Sequence, residues 1–332
     1  MPKRRTVTAT RRPEPGEPGR SPTGWLRRVT TRRPVPSLVA GAVCVALSSV
    51  FIPLAATSTG TITFFRGLLS MPVLIPLAVS ERRRLQPPRP RRSRPMALLA
   101  GVLLAGDILL WNEGIAASGA GIATVIVNAQ VVLVPLLGWV FLRERPGRMF
   151  AAIVPVMLAG VALAGGLVGS GASGEDPVLG ALFSAAAALC YAAFLFLLRQ
   201  AGDADRIIVP VTESAAVSGL VALLVGPFWH GLDLTPGWAS FGWLLGIALT
   251  GQVASYLLIG GALPNLPAEV GAALLLIQPV GSVLLGALIL GERPAPLQLL
   301  GCAVVLLALY LATVTSGRDD KSGRPEKDAS RR

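Results

Sequence analysis

Charged residues are scarce in this chain, and histidine and cysteine are scarcer still. Of its 332 residues 14% are charged, one is histidine and three are cysteine, whereas a soluble domain carries about 25% charged residues. One histidine without a His-Glu-x-x-His motif offers no zinc-peptidase site, and the sequence has no Gly-rich Lys-Ser/Thr loop for nucleotide phosphates. The cysteines show neither metal-ligand spacing nor a disulfide framework. We therefore expect no metal, no cofactor and no use of ATP by this chain.

Apolar sequence is what the chain has in abundance. Hydrophobic residues make up 52% of it, and the mean hydropathy is +0.63. Between charged segments lie apolar runs of roughly 20 residues, the length that a helix needs to cross about 30 Å of hydrocarbon. The sequence predicts an all-α integral membrane protein with ten transmembrane helices, at 37–56, 59–79, 96–116, 120–142, 149–168, 178–198, 207–228, 239–261, 268–290 and 297–315.

Basic residues predict the orientation of these spans. The N-terminal tail carries ten Lys and Arg, the connection at 80–95 seven, those at 143–148 and 199–206 three and two, and the C-terminal tail six. These alternate connections hold 28 of the 30 basic residues, and cytoplasmic connections are the ones enriched in Lys and Arg. We therefore expect a multi-pass protein of the cytoplasmic membrane with both termini in the cytoplasm. The net charge of +12 then reflects topology, and we expect no nucleic-acid partner.

An internal repeat divides the chain into two halves. Residues 120–146 align without a gap on 268–294, a shift of 148 positions. Apolar matches are common in membrane segments, but a shared glutamine and a shared Glu-Arg-Pro are not; these lie at Gln130 and Gln278, and at 144–146 and 292–294. With five spans in each half, the second copy enters the membrane from the opposite side. Such inverted repeats are typical of secondary transporters, whose substrate sites lie near the midplane between the repeats.

Two sequence motifs carry a resemblance to a known family. A span that ends in Leu-Arg-Glu-Arg-Pro or Leu-Gly-Glu-Arg-Pro, five spans per repeat and Phe65-Arg66-Gly67 in the second span resemble the EamA family of the drug/metabolite transporter superfamily. The resemblance covers roughly residues 36–316. It implies a ten-helix, inverted-repeat transporter, commonly an exporter of amino acids or other small metabolites.

The predicted organisation has four parts. Residues 1–35 form a disordered basic cytoplasmic tail, 36–168 the first repeat, 178–315 the second repeat and 316–332 a second cytoplasmic tail. The tails are rich in Arg, Pro, Gly and Glu and cannot bury a core.

Charged side chains inside the spans are candidate functional residues, because they are costly in hydrocarbon. Arg66 and Asp107 lie roughly 10 and 13 Å below the outer ends of spans two and three. At this similar depth they could form an ion pair, which either acts as a gate or substrate clamp or only locks two helices. Asp107 could also bind an amine or a proton.

Two glutamates extend this set. Glu113 lies near the outer mouth and Glu213 inside the seventh span. Glu213 is a candidate proton carrier, unless its side chain reaches back to the inner surface. Shifts of 148 from Arg66 and Asp107 reach Ser214 and Ser255, so the equivalent positions are polar in both halves.

Amide and aromatic side chains at intermediate depth complete the candidate site. Prolines near Gln130 and Gln278 free backbone carbonyls that could line a cavity. The remaining candidates for substrate binding or coupling are Trp111, Asn128, Tyr191, Gln252 and Tyr256. Taken one at a time, hydrogen bonding between helices is the simpler explanation for each. As a set, some of them should face a central cavity. The glutamates of the two Glu-Arg-Pro copies are instead expected in capped turns at helix ends.

Three classes of function compete. A secondary transporter by alternating access, acting as an exporter, fits the inverted repeat best. An intramembrane enzyme needs a nucleophile with a base or a metal site, and Asp107 has no second catalytic aspartate in a span. A non-transporting scaffold is the third. We expect a non-enzyme whose partners are a small molecule, amino acid-like or drug-like, and the lipid bilayer. Protons are a candidate coupling ion, and the choice between monomer and homodimer stays open.

Overall fold

Helices make up the secondary structure that the computed structural model describes, which covers residues 22–84, 93–143, 148–164, 175–201, 208–266 and 274–322. The helices of the first half, with a short one before it, are α1 Pro22–Arg32, α2 Pro34–Leu54, α3 Thr59–Arg84, α4 Ser93–Ser118, α5 Ala120–Val127, α6 Gln130–Leu142 and α7 Arg148–Ala164. Those of the second half are α8 Pro177–Ala201, α9 Ile208–Val225, α10 Trp238–Ile247, α11 Ser255–Ala262, α12 Ile277–Leu285 and α13 Pro296–Ser322. A π-helical turn, Ala248–Ala254, joins α10 to α11, and a second one, Gly286–Leu290, follows α12.

Seven helical segments of the described residues are long and apolar enough to cross a membrane. They correspond to predicted spans one to four and six to eight; two shorter apolar helices, Ile277–Leu290 and Pro296–Ala308, lie in predicted spans nine and ten. The prediction of an all-helical membrane protein is therefore confirmed at this level. The count of ten spans stays a prediction.

The two halves pack against each other through equivalent helices. Helix α3 packs on α9, α5 on α12 and α7 on α13. Each of these pairs joins a predicted span to its counterpart in the repeat. Helix α4 packs on α8, and the contact that the repeat makes equivalent to it is that of α2 with α10 and α11. Each of these contacts also joins the first half to the second.

Two glutamates show that paired helices run in opposite directions. Glu81, near the end of α3, accepts hydrogen bonds from the backbone N–H groups of the first two residues of α9, at 3.1 and 2.8 Å. Glu292, just after the π turn that follows α12, accepts bonds from the first two residues of α5, at 2.7 and 3.3 Å. Each carboxylate satisfies N–H groups that have no partner within their own helix and lies at the positive end of the helix dipole. Glu292 of the second Glu-Arg-Pro copy is thus a helix cap; the first copy, 144–146, lies outside the described residues.

Glycines let α3 and α9 approach closely. A Cβ atom added at Gly60 would lie 2.8 Å from the Cα of Gly226, and one added at Gly67 would lie 2.8 Å from the Cα of Gly219. Contacts between small residues of this kind bring helix backbones together in membranes and gain van der Waals packing. The close approach fixes the position of the helix that carries Arg66.

Replacing Gly67 by alanine is therefore expected to destabilise the fold. The new methyl group would overlap the α9 backbone, and overpacking costs about 1–3 kcal/mol. We expect a lower midpoint of thermal unfolding in detergent, measured by intrinsic fluorescence. Gly242→Ala is the matched control, because a Cβ there meets no atom within 4 Å. Equal midpoints for the two variants would contradict the close helix contact.

Part of the predicted disordered tail is helical. Helix α1 places Thr30 in a buried position, where a Cβ atom at Gly261 would contact it. Leu26 packs against the cluster that contains Leu74 and Leu257. Composition predicted disorder because it records how few apolar residues the segment has. Composition does not show that these few apolar residues can pack against helices already in place. Residues 1–21 lie outside the described part of the chain.

Candidate functional site

Two helices are interrupted at equivalent positions in the two halves. In predicted span four, Asn128 and Ala129 form a turn between α5 and α6, and α6 begins at Gln130. In predicted span nine, Leu276 is a turn residue directly before α12. Leu276 lies 148 positions after Asn128, which is the shift of the repeat. Interrupted helices are tolerated in the apolar layer where the freed backbone groups line a cavity or are buried in protein. Gln130 and Gln278 follow the two interruptions.

A cavity of about 300 Å³ lies between the two halves, and both contribute to its lining. Eight of the ten candidate residues line it: Arg66, Asp107, Trp111, Asn128, Gln130, Tyr191, Tyr256 and Gln278. Among the residues whose side chains the structure describes, none of α7 or α13 lines the cavity. The cavity is thus built by the helices around the junction of the halves, whereas α7 and α13 pack on each other.

Polar and apolar side chains both line the cavity. Ser48, Arg66, Asp107 and Trp111 are among the polar residues, and leucine and valine side chains make up most of the apolar part of the lining. Two of the apolar lining residues are Leu198 and Val211, three residues from the end of α8 and the start of α9. The apolar part therefore extends towards the ends of the helices.

Two tyrosines of the second half, Tyr191 and Tyr256, line the cavity. The ring of Phe194 stacks on Tyr191 at a centroid distance of 5.5 Å and meets Tyr256 edge-on at 6.2 Å. Phe194 itself is almost fully buried. Its packing holds the two phenol rings beside the cavity.

Arg66 is buried and bonded to the second half. Its Nε donates to Oε1 of Gln252 at 3.1 Å, and its Nη2 donates to the carbonyl oxygen of Gly251 at 2.8 Å. The guanidinium carbon lies 6.0 Å from the centre of the Trp111 ring. Arg66 and Asp107 do not form the ion pair that their depth suggested: no N–O distance between these two described residues is within 4 Å.

Several buried polar atoms of the cavity wall have no hydrogen-bond partner among the residues that the structure describes. They are Arg66 Nη1, Asp107 Oδ1, Trp111 Nε1, Gln130 Oε1, Thr124 Oγ1 and Ser48 Oγ. Leaving such a group unpaired costs about 1–3 kcal/mol, and more when it is charged. A cluster of them around one cavity is therefore typical of a site that binds a polar molecule.

Two candidate residues do not line the cavity. Gln252 lies behind Arg66 and contacts the cavity only through it. Glu213 bonds Arg82 at 2.8 Å, in a pair whose arginine is largely exposed. Glu213 thus lies outside the cavity that Asp107 lines.

Glu113 belongs to a separate cluster. Its Oε1 accepts hydrogen bonds from Thr59 Oγ1 at 2.8 Å and from Trp229 Nε1 at 3.2 Å, and His230 Nε2 lies 3.7 Å away. These contacts join the connection after α9 to the start of α3. Glu113 does not line the cavity.

The lining residues that sequence reasoning did not single out include Ser48, Thr124 and Gly251. Serine and threonine are common inside membrane helices, where they bond to their own backbone, so their presence in an apolar run carries little signal. Gly251 matters through its carbonyl, which the π-helical turn exposes and which no side-chain pattern reveals.

Comparison with known proteins gives a consistent result. The family model described as the EamA-like transporter family matches residues 33–166 and 178–314. A protein of Bacillus subtilis (strain 168) named "Uncharacterized transporter YxxF" is 27% identical over 231 residues, which cover 68% of this chain and 71% of that protein. The match to the family model extends over both halves.

A solved crystal structure of a protein shares the fold. It superposes with a TM-score of 0.54 at 18% identity, and the alignment covers 89% of this chain and 99% of the other. At this identity the likeness concerns the arrangement of helices only.

Proposed function

The chain belongs to the EamA-like transporter family, and from that premise we propose that it is a secondary transporter that exports a small metabolite across the cytoplasmic membrane. Members of the family are transporters of the drug/metabolite type rather than enzymes. One observation carries the proposal. A cavity between the two halves is lined by residues that carry buried polar atoms, and these atoms have no hydrogen-bond partner among the described residues.

The chemistry of the cavity favours a zwitterion with an apolar remainder. Arg66 offers a free Nη1 that can bind a carboxylate, and Asp107 offers a free Oδ1 that can bind an ammonium group. Charge-assisted hydrogen bonds of this kind are stronger than neutral ones. The apolar part, which includes Leu195 and Leu198, suits a hydrocarbon side chain. A volume of about 300 Å³ lies at the lower limit of small-molecule pockets, so a single amino acid-sized molecule is favoured over a large drug.

Alternating access is supported by the way the halves meet. The apolar part of the cavity extends towards the ends of α8 and α9, whose connection carries Arg199 and Arg206. With both termini in the cytoplasm, this is the cytoplasmic end. At the opposite end Ser58 Oγ donates to the carbonyl of Gly231, and Asp233 N–H donates to Thr61 Oγ1, both at 2.8 Å. Both ends carry hydrogen bonds between the halves, because Glu81 and Arg82 bond α9 near the cytoplasmic end. The lining residues near that end, Leu198 and Val211, support a state that faces the cytoplasm, and rocking of the halves would open the other end.

Purified protein in proteoliposomes tests the proposal. Labelled L-leucine and L-phenylalanine are offered as probes, with leucinamide and 4-methylpentanoate as competitors that lack the carboxylate or the amine. We expect saturable flux of a zwitterion and weaker competition by either fragment. Flux that does not saturate, or equals that of protein-free vesicles for every probe, would favour the scaffold. Release of a new product would favour the enzyme.

A further inference from the structure

The π-helical turn between α10 and α11 presents a backbone carbonyl to Arg66. In this turn the N–H group of Ser255 bonds the carbonyl of Thr250, five residues earlier. An α-helical Ser255 would bond Gly251, four residues earlier. The Gly251 carbonyl instead accepts hydrogen bonds from Ser255 Oγ and from Arg66 Nη2, both at 2.8 Å. Such π turns occur frequently at functional sites.

Glycine at position 251 makes the approach possible. A Cβ atom there would overlap Ser48 Oγ and would lie 3.5 Å from the Arg66 guanidinium carbon. Any larger residue would push the turn away from α2 and α3. Gly251 therefore allows the second half to reach the arginine of the first.

The two acceptors occupy one particular edge of the guanidinium group. Gln252 Oε1 accepts a hydrogen bond from Nε–H, and the Gly251 carbonyl oxygen accepts one from Nη2. These two nitrogens form the side edge of the guanidinium group. Nη1 is buried, has no partner and belongs to a residue of the cavity wall. A guanidinium held by its side edge has its end free, and this planar end matches a carboxylate in geometry.

We propose that Gly251 and Gln252 are positioning residues that hold Arg66 by its Nε–Nη2 edge, so that the Nη1 end forms a subsite for the carboxylate of the substrate. This proposal rests on the proposed transport function. Because Arg66 belongs to the first half and its two acceptors belong to the second, the subsite is complete only when the halves meet as they do here. Movement of one half against the other would weaken it, which couples carboxylate affinity to the state of the transporter.

The test compares binding of L-leucine with that of leucinamide, which lacks the carboxylate. Affinities are measured by thermal shift on the full chain in detergent. We expect Gln252→Leu to lower the affinity for leucine about tenfold or more and to change that for leucinamide less than about twofold, since one acceptor bond is worth roughly a factor of ten. Gln252→Met removes the same acceptor with an unbranched side chain of similar length, so it should show the same selective loss even if the leucine variant folds poorly.

Thr250→Val is the matched control. It removes a hydrogen bond of the same π turn, from Thr250 Oγ1 to the Gly246 carbonyl, without touching Arg66. An equal loss for both ligands in Gln252→Met, or no loss for leucine, would overturn the positioning role while the wild type still binds. If the wild type neither binds nor transports any probe, the substrate proposal itself fails, and this inference fails with it.

Discussion

Replacing Asp107 by asparagine is expected to abolish saturable transport and to leave the fold intact. The side chain is 6% exposed and its Oδ1 has no hydrogen-bond partner in the described part of the chain, so the isosteric amide disrupts no bond made by that atom there. Loss of the charge removes the proposed ligand of the substrate amine. Truncating one partner of a buried charge pair costs about 2–5 kcal/mol, and each 1.4 kcal/mol is a factor of ten. We expect at least a 100-fold loss of flux in proteoliposomes.

Glu213→Gln is the control for this variant. It removes a carboxylate from a helix of the second half, but one that bonds Arg82 outside the cavity. Exposed ion pairs contribute little, so we expect flux within about twofold of the wild type. Equal loss in both variants would show that transport depends on intramembrane carboxylates in general. Normal transport by Asp107→Asn at every pH would refute both the amine site and any role of Asp107 in proton coupling.

Replacing Arg66 by lysine is expected to be nearly as damaging, although the charge is kept. Lysine has one ammonium group and no planar fork. It cannot bond Gln252 Oε1 and the Gly251 carbonyl and also present a free edge to the cavity. We expect at least a 100-fold loss of flux for a carboxylate-bearing probe. The protein should still elute as a single species in size-exclusion chromatography.

Arg82→Lys is the matched control, because Arg82 lies on the same helix and is 63% exposed. We expect its flux to stay within about twofold of the wild type. If Arg66→Lys retained flux within about threefold as well, positive charge alone would suffice, and the fork geometry that the π turn imposes would have no role in transport.

The two expected losses concern residues that the sequence alone singles out. A charge inside an apolar run is costly, and Arg66 and Asp107 are visible as such without any structure. Their depth could be counted from the helix ends, since the rise per residue is constant. Their hydrogen-bond partners could not be predicted from the sequence. The acceptors of Arg66 lie about 185 residues away in the chain on a helix whose local form is not α-helical.

Glu213 and Gln252 show that depth within a span does not predict which residues line the cavity. Both lie inside predicted spans, and depth alone made them candidates. Glu213 turns to Arg82, and Gln252 lies behind Arg66. In an amphipathic helix the apolar stripe shows which face is buried, but a membrane helix that is apolar on all sides has no such stripe. The direction of a side chain around its helix axis is then set by the neighbouring helices.

The sequence by itself determined that this chain is a membrane protein, that it divides into two halves, which family it resembles and most of the polar residues that line the cavity. These depend on run length, on a repeat shift and on the cost of charge in hydrocarbon, all of which are local or one-dimensional. The tertiary structure decided that Arg66 is bonded to the π turn rather than to Asp107, that Glu292 caps α5, and that Glu213 lies outside the cavity. These depend on how helices rotate and pair across the two halves. That choice is made by packing between segments far apart in the chain, where small residues such as Gly67 and Gly251 decide how closely the helices approach.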